Sequence, residues 1–430
     1  MSEDISTKVD EGLSAVRAWI IWTPAALMAL YFVFIQTSIT VMIPQLEKAF
    51  SINMVDIGFL SSSFFISYTI LQIPSGLIID KIGARKILLI SVIGLFFSCL
   101  IFALSSSFNL SIFSRVLMGI FSAPIFACVF YLAAINFSHK IFPLAVGLTE
   151  TMTALGGLFS TKFLSISVQR LGWRPTSFIC TGLAVVLFIL IFLFVKDPKT
   201  TNDKTIAIDQ IQKKEPFWEC FIIVIANKQI WLCSVFAGLI FIPFITFGGL
   251  WGVPFIMKAY NLQLESAAGL ISILFIGAAV GNVIIPWFSE NFNLKKTLMI
   301  VCTVLDIIFM LIIIYNPFSS TFAIASVLFL IGFFLSAYTI PFIIVKKIVP
   351  KKATGTGMAF INAVCGGIGT IIYQPLIGWL LHFFAVPSSS TGKSIITIES
   401  YQNALVIIPI SLVIAIVVVC MIDKSHFQKA

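Results

Sequence analysis

The chain has 430 residues, of which 59% are apolar and only 10% are charged. The charged residues form short clusters between apolar runs that are long enough to cross about 30 Å of hydrocarbon. These features predict a polytopic membrane protein rather than a soluble one. Loops that face anionic lipid account for the net charge of +9, so the charge does not indicate a nucleic-acid partner.

Hydropathy predicts twelve membrane spans, with a polar tail before the first. The tail, residues 1–18, lacks the short apolar core and cleavage site of a signal peptide. The predicted spans lie near 19–43, 55–79, 86–105, 109–136, 143–167, 173–195, 229–257, 265–289, 297–316, 320–345, 355–384 and 401–421. An even number of spans places both termini on one side of the membrane.

The basic residues predict the orientation. Of the 27 lysines and arginines, 20 fall in segments on the side of the termini and five in segments on the other side. The positive-inside rule therefore predicts cytoplasmic termini. Richness in Ile and Phe, with far more Lys than Arg, is compatible with a bacterial inner membrane, which we expect to be the location.

The chain repeats one layout after 210 residues. This shift places Pro44 on Pro254, Asp80 on Glu290 and Gly147 on Gly357. The segment from Phe217 to Asn227 is too short to cross the membrane and is predicted to be an interfacial helix. The predicted organisation is a tail (1–18), a six-helix half (19–195), a cytoplasmic linker with that helix (196–228), a second half (229–421) and a tail (422–430).

The loop after span two carries the most specific motif. Residues 76–86 read Gly-Leu-Ile-Ile-Asp-Lys-Ile-Gly-Ala-Arg-Lys. This segment resembles the G-x-L-x-D-R-x-G-R-R-x signature of the major facilitator superfamily, with departures at Ile78, Lys81 and Ala84. The resemblance implies an all-α membrane fold in which two six-helix halves (12 TM helices) surround a central cavity and alternate its access.

The resemblance also implies a conformational latch at this loop. A carboxylate at Asp80 accepts hydrogen bonds from a neighbouring helix N-terminus and pairs with Lys81 or Arg85, which would lock the halves together. The alternative is a cluster that only sets topology. The predicted latch residues are Gly76, Asp80, Lys81, Gly83, Arg85, Lys86 and Glu290.

Arg115 and Glu150 are the predicted substrate-binding and coupling residues. An arginine inside an apolar span is costly unless it faces water, a carboxylate or an anionic substrate. Residues 115–119 resemble the superfamily pattern R-x-x-Q-G, with Met118 in place of Gln. Depth along the helices puts Arg115 and Glu150 roughly 9 Å apart in level, so the side chains or a zwitterion can bridge them. The alternative is a permanent ion pair that fixes helix packing.

Depth along the predicted spans adds further candidates for the cavity: Gln36, Tyr68, Trp251, Tyr338 and Asn362. The remaining charges within spans, Asp306 and Lys162, are assigned structural roles, with Lys162 reaching outward. No histidine lies at mid-membrane, so proton coupling would depend on carboxylates such as Glu150. The pattern predicts no cofactor and no metal site.

The sequence therefore predicts a secondary active transporter and not an enzyme. We expect proton-coupled import of a small polar, carboxylate-bearing solute (an amino acid, a short peptide or an organic acid) by a monomer in the lipid bilayer. Sugar-phosphate exchange is less favoured, because no second mid-span arginine matches Arg115. The alternatives are a drug or siderophore exporter, although Thr151-Met152 replaces the Gly-Pro of that motif, a polytopic membrane enzyme, or a non-transporting sensor.

Overall fold

The computed structural model describes residues 2–137, 141–196, 217–292, 294–315, 320–350, 353–387 and 394–423. Most of these residues are helical. The first part of the chain forms α1 (Ser2–Thr37), α2 (Ile39–Phe50), α3 (Met54–Ile82), α4 (Ala84–Leu104), α5 (Phe108–Ser122), α6 (Ile125–Asn136), α7 (Phe142–Leu171) and α8 (Trp173–Phe194).

The second part repeats this order after a short helix. It forms α9 (Phe217–Ala226), α10 (Lys228–Ile240), a π-helical segment (Pro243–Trp251), α11 (Gly252–Ala259), α12 (Leu264–Asn291), α13 (Lys295–Tyr315), α14 (Thr321–Leu335), a 3₁₀ turn (Ser336–Thr339), α15 (Ile340–Ile348), α16 (Thr354–Gly367), a π-helical segment (Ile368–Tyr373), α17 (Gln374–Phe383), β1 (Val386–Pro387), β2 (Ser394–Ile395), α18 (Ile398–Leu405) and α19 (Ile407–Met421).

Within the described ranges these helices combine into twelve membrane-crossing segments, which confirms the predicted fold class. Eleven of them are long and apolar enough to cross a bilayer. The twelfth is α7, whose 30 residues exceed the length of about 20 that a crossing needs. Spans one, four, seven, ten, eleven and twelve each consist of consecutive helices.

The first span extends beyond its predicted end at residue 43, through the polar residues of α2 to Phe50. The Gln45 side chain donates to the carbonyl of Val168 at 2.9 Å and accepts from the Trp173 amide at 2.7 Å. The polar side chain of Gln45 is therefore hydrogen-bonded to the turn between α7 and α8. Hydropathy alone does not predict this continuation of the helix, because the polar residues at the end of α2 are typical of a loop.

Corresponding spans of the two halves are interrupted. Span one breaks at Ser38, and the equivalent part of span seven is π-helical and begins at Pro243. Span four breaks at Pro124, and span ten contains the 3₁₀ turn Ser336–Thr339. Proline lacks the N–H of the helical hydrogen bond, which explains the breaks at Pro124 and Pro243. Interruptions at matching positions of two repeats point to the centre of a transporter.

The two halves meet on the face of the membrane opposite to the start of α1, which we call the closed face; the other is the terminal face. The Thr40 hydroxyl donates a 2.6 Å hydrogen bond to the Leu250 carbonyl across the two halves. Near the start of α3, Gly58 lies against the backbone of Gln374 and Pro375. These contacts join spans one and seven and spans two and eleven, respectively.

Two connections add to the predicted pattern. The predicted short helix is present as α9, and Asn227 caps the helix after it by accepting from the Gln229 amide; residues 197–216 of the linker lie outside the described residues. The connection between spans eleven and twelve contains the antiparallel pair β1–β2 and a capping box at Thr397. Local hydrogen bonds of this kind leave no apolar periodicity to detect.

Candidate functional site

Arg115 lies buried in span four, and only 1% of it is exposed. Its Nη1 donates to the carbonyl of Ile35 at 2.9 Å, and its Nη2 donates to the carbonyl of Gln36 at 3.1 Å. Both carbonyls immediately precede the break at Ser38 in span one. The interruption of span one is therefore where the arginine binds.

The ring of Phe64 covers one face of this guanidinium, with Cζ 4.8 Å from the ring centroid. Cations are attracted to the face of an aromatic ring. The contact depends on a close approach of α3 and α5, because a Cβ at Gly119 would overlap the Phe64 carbonyl and the Ser67 hydroxyl. Ser67 Oγ also donates to the Val116 carbonyl at 2.9 Å. Gly119 and Ser67 thus hold Phe64 against Arg115.

The charge of Arg115 is not neutralised by any carboxylate among the described residues, since its hydrogen bonds go to carbonyls and to the Met118 sulfur. In the same part of the chain its Nε–H lacks a hydrogen-bond partner. The buried Nε2 of Gln36 lacks one too. Unused N–H donors and an uncompensated charge are costly in a protein interior. An anion is the partner that would satisfy both.

The space beside Arg115 is small in this conformation. A cavity of about 10 Å³ lies next to Ser38, Cys99, Met118 and Ser177. Such a volume holds a single water molecule. A larger anion therefore needs a movement of the surrounding helices to reach the guanidinium.

Glu150 lies on α7, where it is half-buried. Its carboxyl interacts electrostatically with the hydroxyls of Tyr68 and Tyr338 and with the thiol of Cys365. These three residues belong to spans two, ten and eleven. Glu150 therefore lies where helices of both halves come together.

Neutral polar groups surround the same place. Gln72 Nε2 donates to the Tyr68 hydroxyl at 3.0 Å, and the Asn362 side chain forms a hydrogen bond with the same hydroxyl. Asn282 lies beside the Tyr338 hydroxyl. In the described part of the chain, Gln72 Oε1 and Asn282 Oδ1 accept no hydrogen bond. We call this set the central polar cluster: Glu150, Tyr68, Gln72, Asn282, Tyr338 and Asn362.

The expected bridge between Arg115 and Glu150 is not formed. Arg115 binds carbonyls of span one, whereas the neighbours of Glu150 belong to other spans. Aromatic rings lie between them, because Phe64 covers Arg115 and also packs on Tyr68, with ring centroids 6.4 Å apart. The predicted depths are close, but depth does not tell which way each side chain faces. A permanent ion pair is thus not what holds this conformation.

The other candidates from depth separate into three places. Tyr68, Tyr338 and Asn362 join the central polar cluster, and Gln36 lies beside Arg115. Trp251 lies apart from both, fully buried, with its Nε1 donating to the Gln374 carbonyl at 3.1 Å. In this conformation Trp251 fills a contact between spans seven and eleven rather than facing a cavity.

Sequence reasoning missed Gln72 and Asn282. Gln72 follows Tyr68 by four residues, and residues at this spacing share a helix face. That spacing within a membrane span would have been sufficient to find Gln72. Asn282 lies within the apolar helix α12, and its pairing with Tyr338 depends on the packing of two spans that no local pattern reveals.

The two remaining intramembrane charges have different surroundings. Lys162 was expected to reach outward, but its Nζ lies against Gly269 of α12, in the contact between the two halves. Asp306 of α13 is fully buried, and neither carboxyl oxygen has a hydrogen-bond partner among the described residues. Lys162 is thus part of the closed face, whereas Asp306 is a buried group without a visible structural function.

The loop with the predicted latch makes a sharp turn between α3 and α4. Gly83 has a φ of +89°, which other residues rarely adopt, and its amide donates to the Ile79 carbonyl at 2.9 Å. Arg85 Nη2 donates to the Phe192 carbonyl at 2.8 Å in the same half, and Lys86 is exposed. The surroundings of Gly76 and the side chains of Asp80, Lys81 and Glu290 lie outside the described part of the structure, so the latch stays a prediction.

Comparison with known proteins shows which family has this architecture. The family model described as Major Facilitator Superfamily matches residues 25–374 and 252–428. A structure of a bacterial homolog of the human lysosomal transporter Spinster, in an inward-facing and unoccupied conformation, has a TM-score of 0.74. The match covers 96% of this chain and 98% of that one at 16% identity, so it shows a shared fold.

Relatives in sequence include both transporters and a sensor. A probable hexose phosphate transport protein of Chlamydia muridarum is 22% identical over 77% of this chain and 78% of its own. A probable L-galactonate transporter of Escherichia coli K12 is 24% identical over 60% of each chain. The membrane sensor protein UhpC of the same strain is 23% identical over 89% of this chain and 91% of its own.

Fold and site together define a membrane protein of the secondary-transporter class, with two related six-helix halves and no enzymatic function. The chain belongs to the Major Facilitator Superfamily. The resemblance drawn from residues 76–86 and 115–119 is confirmed at the level of the family.

Proposed function

We propose that the protein is a secondary transporter that imports a small organic acid by alternating access, with protons as the coupling ion. The observation that carries this proposal is Arg115, a buried guanidinium with no carboxylate partner among the described residues and an unused Nε–H donor. A carboxylate is the substrate group whose geometry and charge match a guanidinium. The L-galactonate transporter among the relatives has a substrate with such a group.

The proposed membrane orientation follows from the basic residues. If the termini are cytoplasmic, as the positive-inside rule predicts, the closed face is the outer one. The Thr40–Leu250 contact then seals the outside. In this account, separation of the halves at that contact opens the substrate path to the outside.

The proposed coupling residue is Glu150. Its carboxyl interacts with Tyr68 of the first half and with Tyr338 of the second. Protonation of Glu150 in one conformation and release in the other would link a proton to each cycle. Since no arginine among the described residues pairs with it, its proton can exchange without the rupture of an ion pair.

Uptake into liposomes tests the proposal. The purified full chain is reconstituted, a pH gradient is imposed, and the uptake of labelled sugar acids, amino acids, hexose phosphates and hydrophobic drugs is compared. We expect accumulation of an organic acid that is lost in Arg115→Ala and kept in Arg170→Ala, an exposed arginine at the end of α7. Glu150→Gln should lose accumulation driven by the pH gradient but retain exchange of labelled for unlabelled acid. Uptake of hydrophobic drugs alone, unaffected by Arg115→Ala, would favour the exporter alternative.

A sensor is the second candidate function. The sensor protein UhpC matches this chain over 91% of its own length, a larger share than the hexose phosphate and L-galactonate transport proteins above. A sensor with the same site would bind an organic acid without moving it. Binding to the purified protein together with no uptake or exchange in liposomes would therefore decide for the sensor.

A further inference from the structure

Arg115 and the central polar cluster both have buried groups without hydrogen-bond partners among the described residues, and these groups differ in character. At Arg115 the group without a partner is a donor, the Nε–H, and the Gln36 amide Nε2, which faces Gly249 of span seven, is a donor as well. In the central polar cluster the groups without partners are acceptors: Gln72 Oε1 and Asn282 Oδ1. The carboxylate of Glu150, in the same cluster, is an acceptor as well when ionised. Arg115 and Gln36 thus offer donors, whereas the central polar cluster offers acceptors.

We propose that the central polar cluster is a second subsite, which binds the hydroxyl groups of a polyhydroxylated monocarboxylate whose carboxylate is bound by Arg115. The inference rests on the proposed function. Hydroxyl groups donate one hydrogen bond and accept others, so they match amide and phenol groups such as those of Tyr68, Tyr338 and Asn362. Ordinary burial of an amide does not explain the unused oxygens, because buried acceptors are normally paired.

The two subsites are close enough to act on one molecule. The Phe64 ring lies 4.8 Å from Arg115 Cζ and 6.4 Å from the Tyr68 ring centroid. One aromatic side chain, Phe64, therefore separates Arg115, which binds the carboxylate, from the cluster that binds the hydroxyl groups. The Phe32 ring, stacked on Tyr68 with centroids 4.9 Å apart, provides an apolar wall for the carbon chain between them.

The charge of Glu150 also determines which substrates are excluded. Glu150 would repel a second anionic group at the hydroxyl end, and none of the interactions described for the cluster involves a cation. Like charges placed together in a binding site are a means of rejecting the wrong ligand. The cluster therefore selects against dicarboxylates, whose second carboxylate would lie beside Glu150.

Binding constants of three acids test the subsite, measured by calorimetry with the purified full chain. D-Gluconate has one carboxylate and a hydroxylated chain, L-lactate has one carboxylate and a short chain, and D-glucarate has a carboxylate at both ends. We expect the wild type to prefer D-gluconate over L-lactate. Gln72→Leu and Asn282→Leu should each reduce this preference by about three- to tenfold, the effect of one neutral hydrogen bond.

The second part of the test concerns charge. The wild type should bind D-glucarate at least about tenfold more weakly than D-gluconate, and Glu150→Gln should remove most of that difference. Thermal unfolding of each variant without ligand checks that the variant is folded. If one of these variants does not fold, Asn362→Ala replaces it in the test.

The outcomes separate the two proposals. Equal affinity for D-gluconate and L-lactate in the wild type, lost in Arg115→Ala, would overturn the subsite and leave the organic-acid function standing. Tight binding of D-glucarate by the wild type would overturn it as well. Absence of binding of any of the three acids would overturn both the function and the subsite.

Discussion

The hydroxyl of Thr40 donates a 2.6 Å hydrogen bond to the carbonyl of Leu250, a residue 210 positions further along the chain. The same shift relates the two repeats in the sequence, so Thr40 and Leu250 occupy equivalent positions in spans one and seven. Gly249, next to Leu250, lies against Gln36 and Thr37. The closed face is therefore sealed by a contact between equivalent positions of spans one and seven. This contact lies about one helical turn from the carbonyls that accept hydrogen bonds from Arg115.

The first prediction concerns this seal. Thr40→Val keeps the shape of the side chain and removes the hydrogen bond, which is worth about 1 kcal/mol and changes an equilibrium about fivefold. We expect the closed face to open more often. A cysteine at Gly249, where a Cβ meets only ordinary contacts, should then react faster with a membrane-impermeant maleimide. Thr37→Val is the control, because Thr37 Oγ1 bonds the Val33 carbonyl within its own helix; equal labelling rates in both variants would contradict the prediction.

The second prediction concerns Gly119. A Cβ at this position would overlap the Phe64 carbonyl, so Gly119→Ala should push α3 from α5 and move Phe64 off Arg115. Overpacking of this kind costs about 1–3 kcal/mol. We expect a lower thermal unfolding temperature and weaker binding of the organic acid. In Gly182→Ala, where no atom lies within 4 Å of the added Cβ, both quantities should stay at the wild-type level. A Gly119→Ala protein with wild-type stability and affinity would show that the approach of α3 and α5 is not required.

The third prediction concerns Asp306. Both of its carboxyl oxygens are buried without partners among the described residues, and an unsatisfied buried group costs about 1–3 kcal/mol. Asp306→Asn or Asp306→Leu should therefore leave the unfolding temperature unchanged or raise it, with uptake retained. Thr303→Val, one turn away on the same helix, tests whether polar side chains of α13 matter generally. Loss of uptake in a folded Asp306→Asn protein would instead place this carboxylate in the transport cycle.

Much of the fold was accessible from the sequence, because a bilayer requires every span to be a long apolar run. The bounds of α8, for example, agree with the prediction of 173–195 to within one residue. The interruptions at Ser38, Pro243 and Ser336 were not predicted. Hydropathy is nearly the same for α-, π- and 3₁₀-helical turns, so it does not distinguish a broken span from a continuous one.

The site was accessible only in part. Charge in an apolar span marks Arg115 and Glu150 as unusual residues, but the two side chains do not pair in this conformation. Depth fixes the level of a side chain, whereas its direction depends on how the helices pack, and here Arg115 turns to the break in span one. Trp251 likewise turns to the contact between spans seven and eleven. Gln72 was within reach, since its spacing from Tyr68 places both on one helix face.

The most direct test of the account is the binding of D-gluconate to purified wild type, Arg115→Ala, Arg115→Lys and Arg170→Ala. We expect about ten- to hundredfold weaker binding in Arg115→Ala, because hydrogen bonds to a charged group are worth about 1.5–3 kcal/mol. Arg115→Lys should fall between wild type and Arg115→Ala, since lysine keeps the charge but not the planar fork, and Arg170→Ala should match the wild type. Undiminished affinity in a folded Arg115→Ala protein would contradict the claim that this buried arginine binds the substrate.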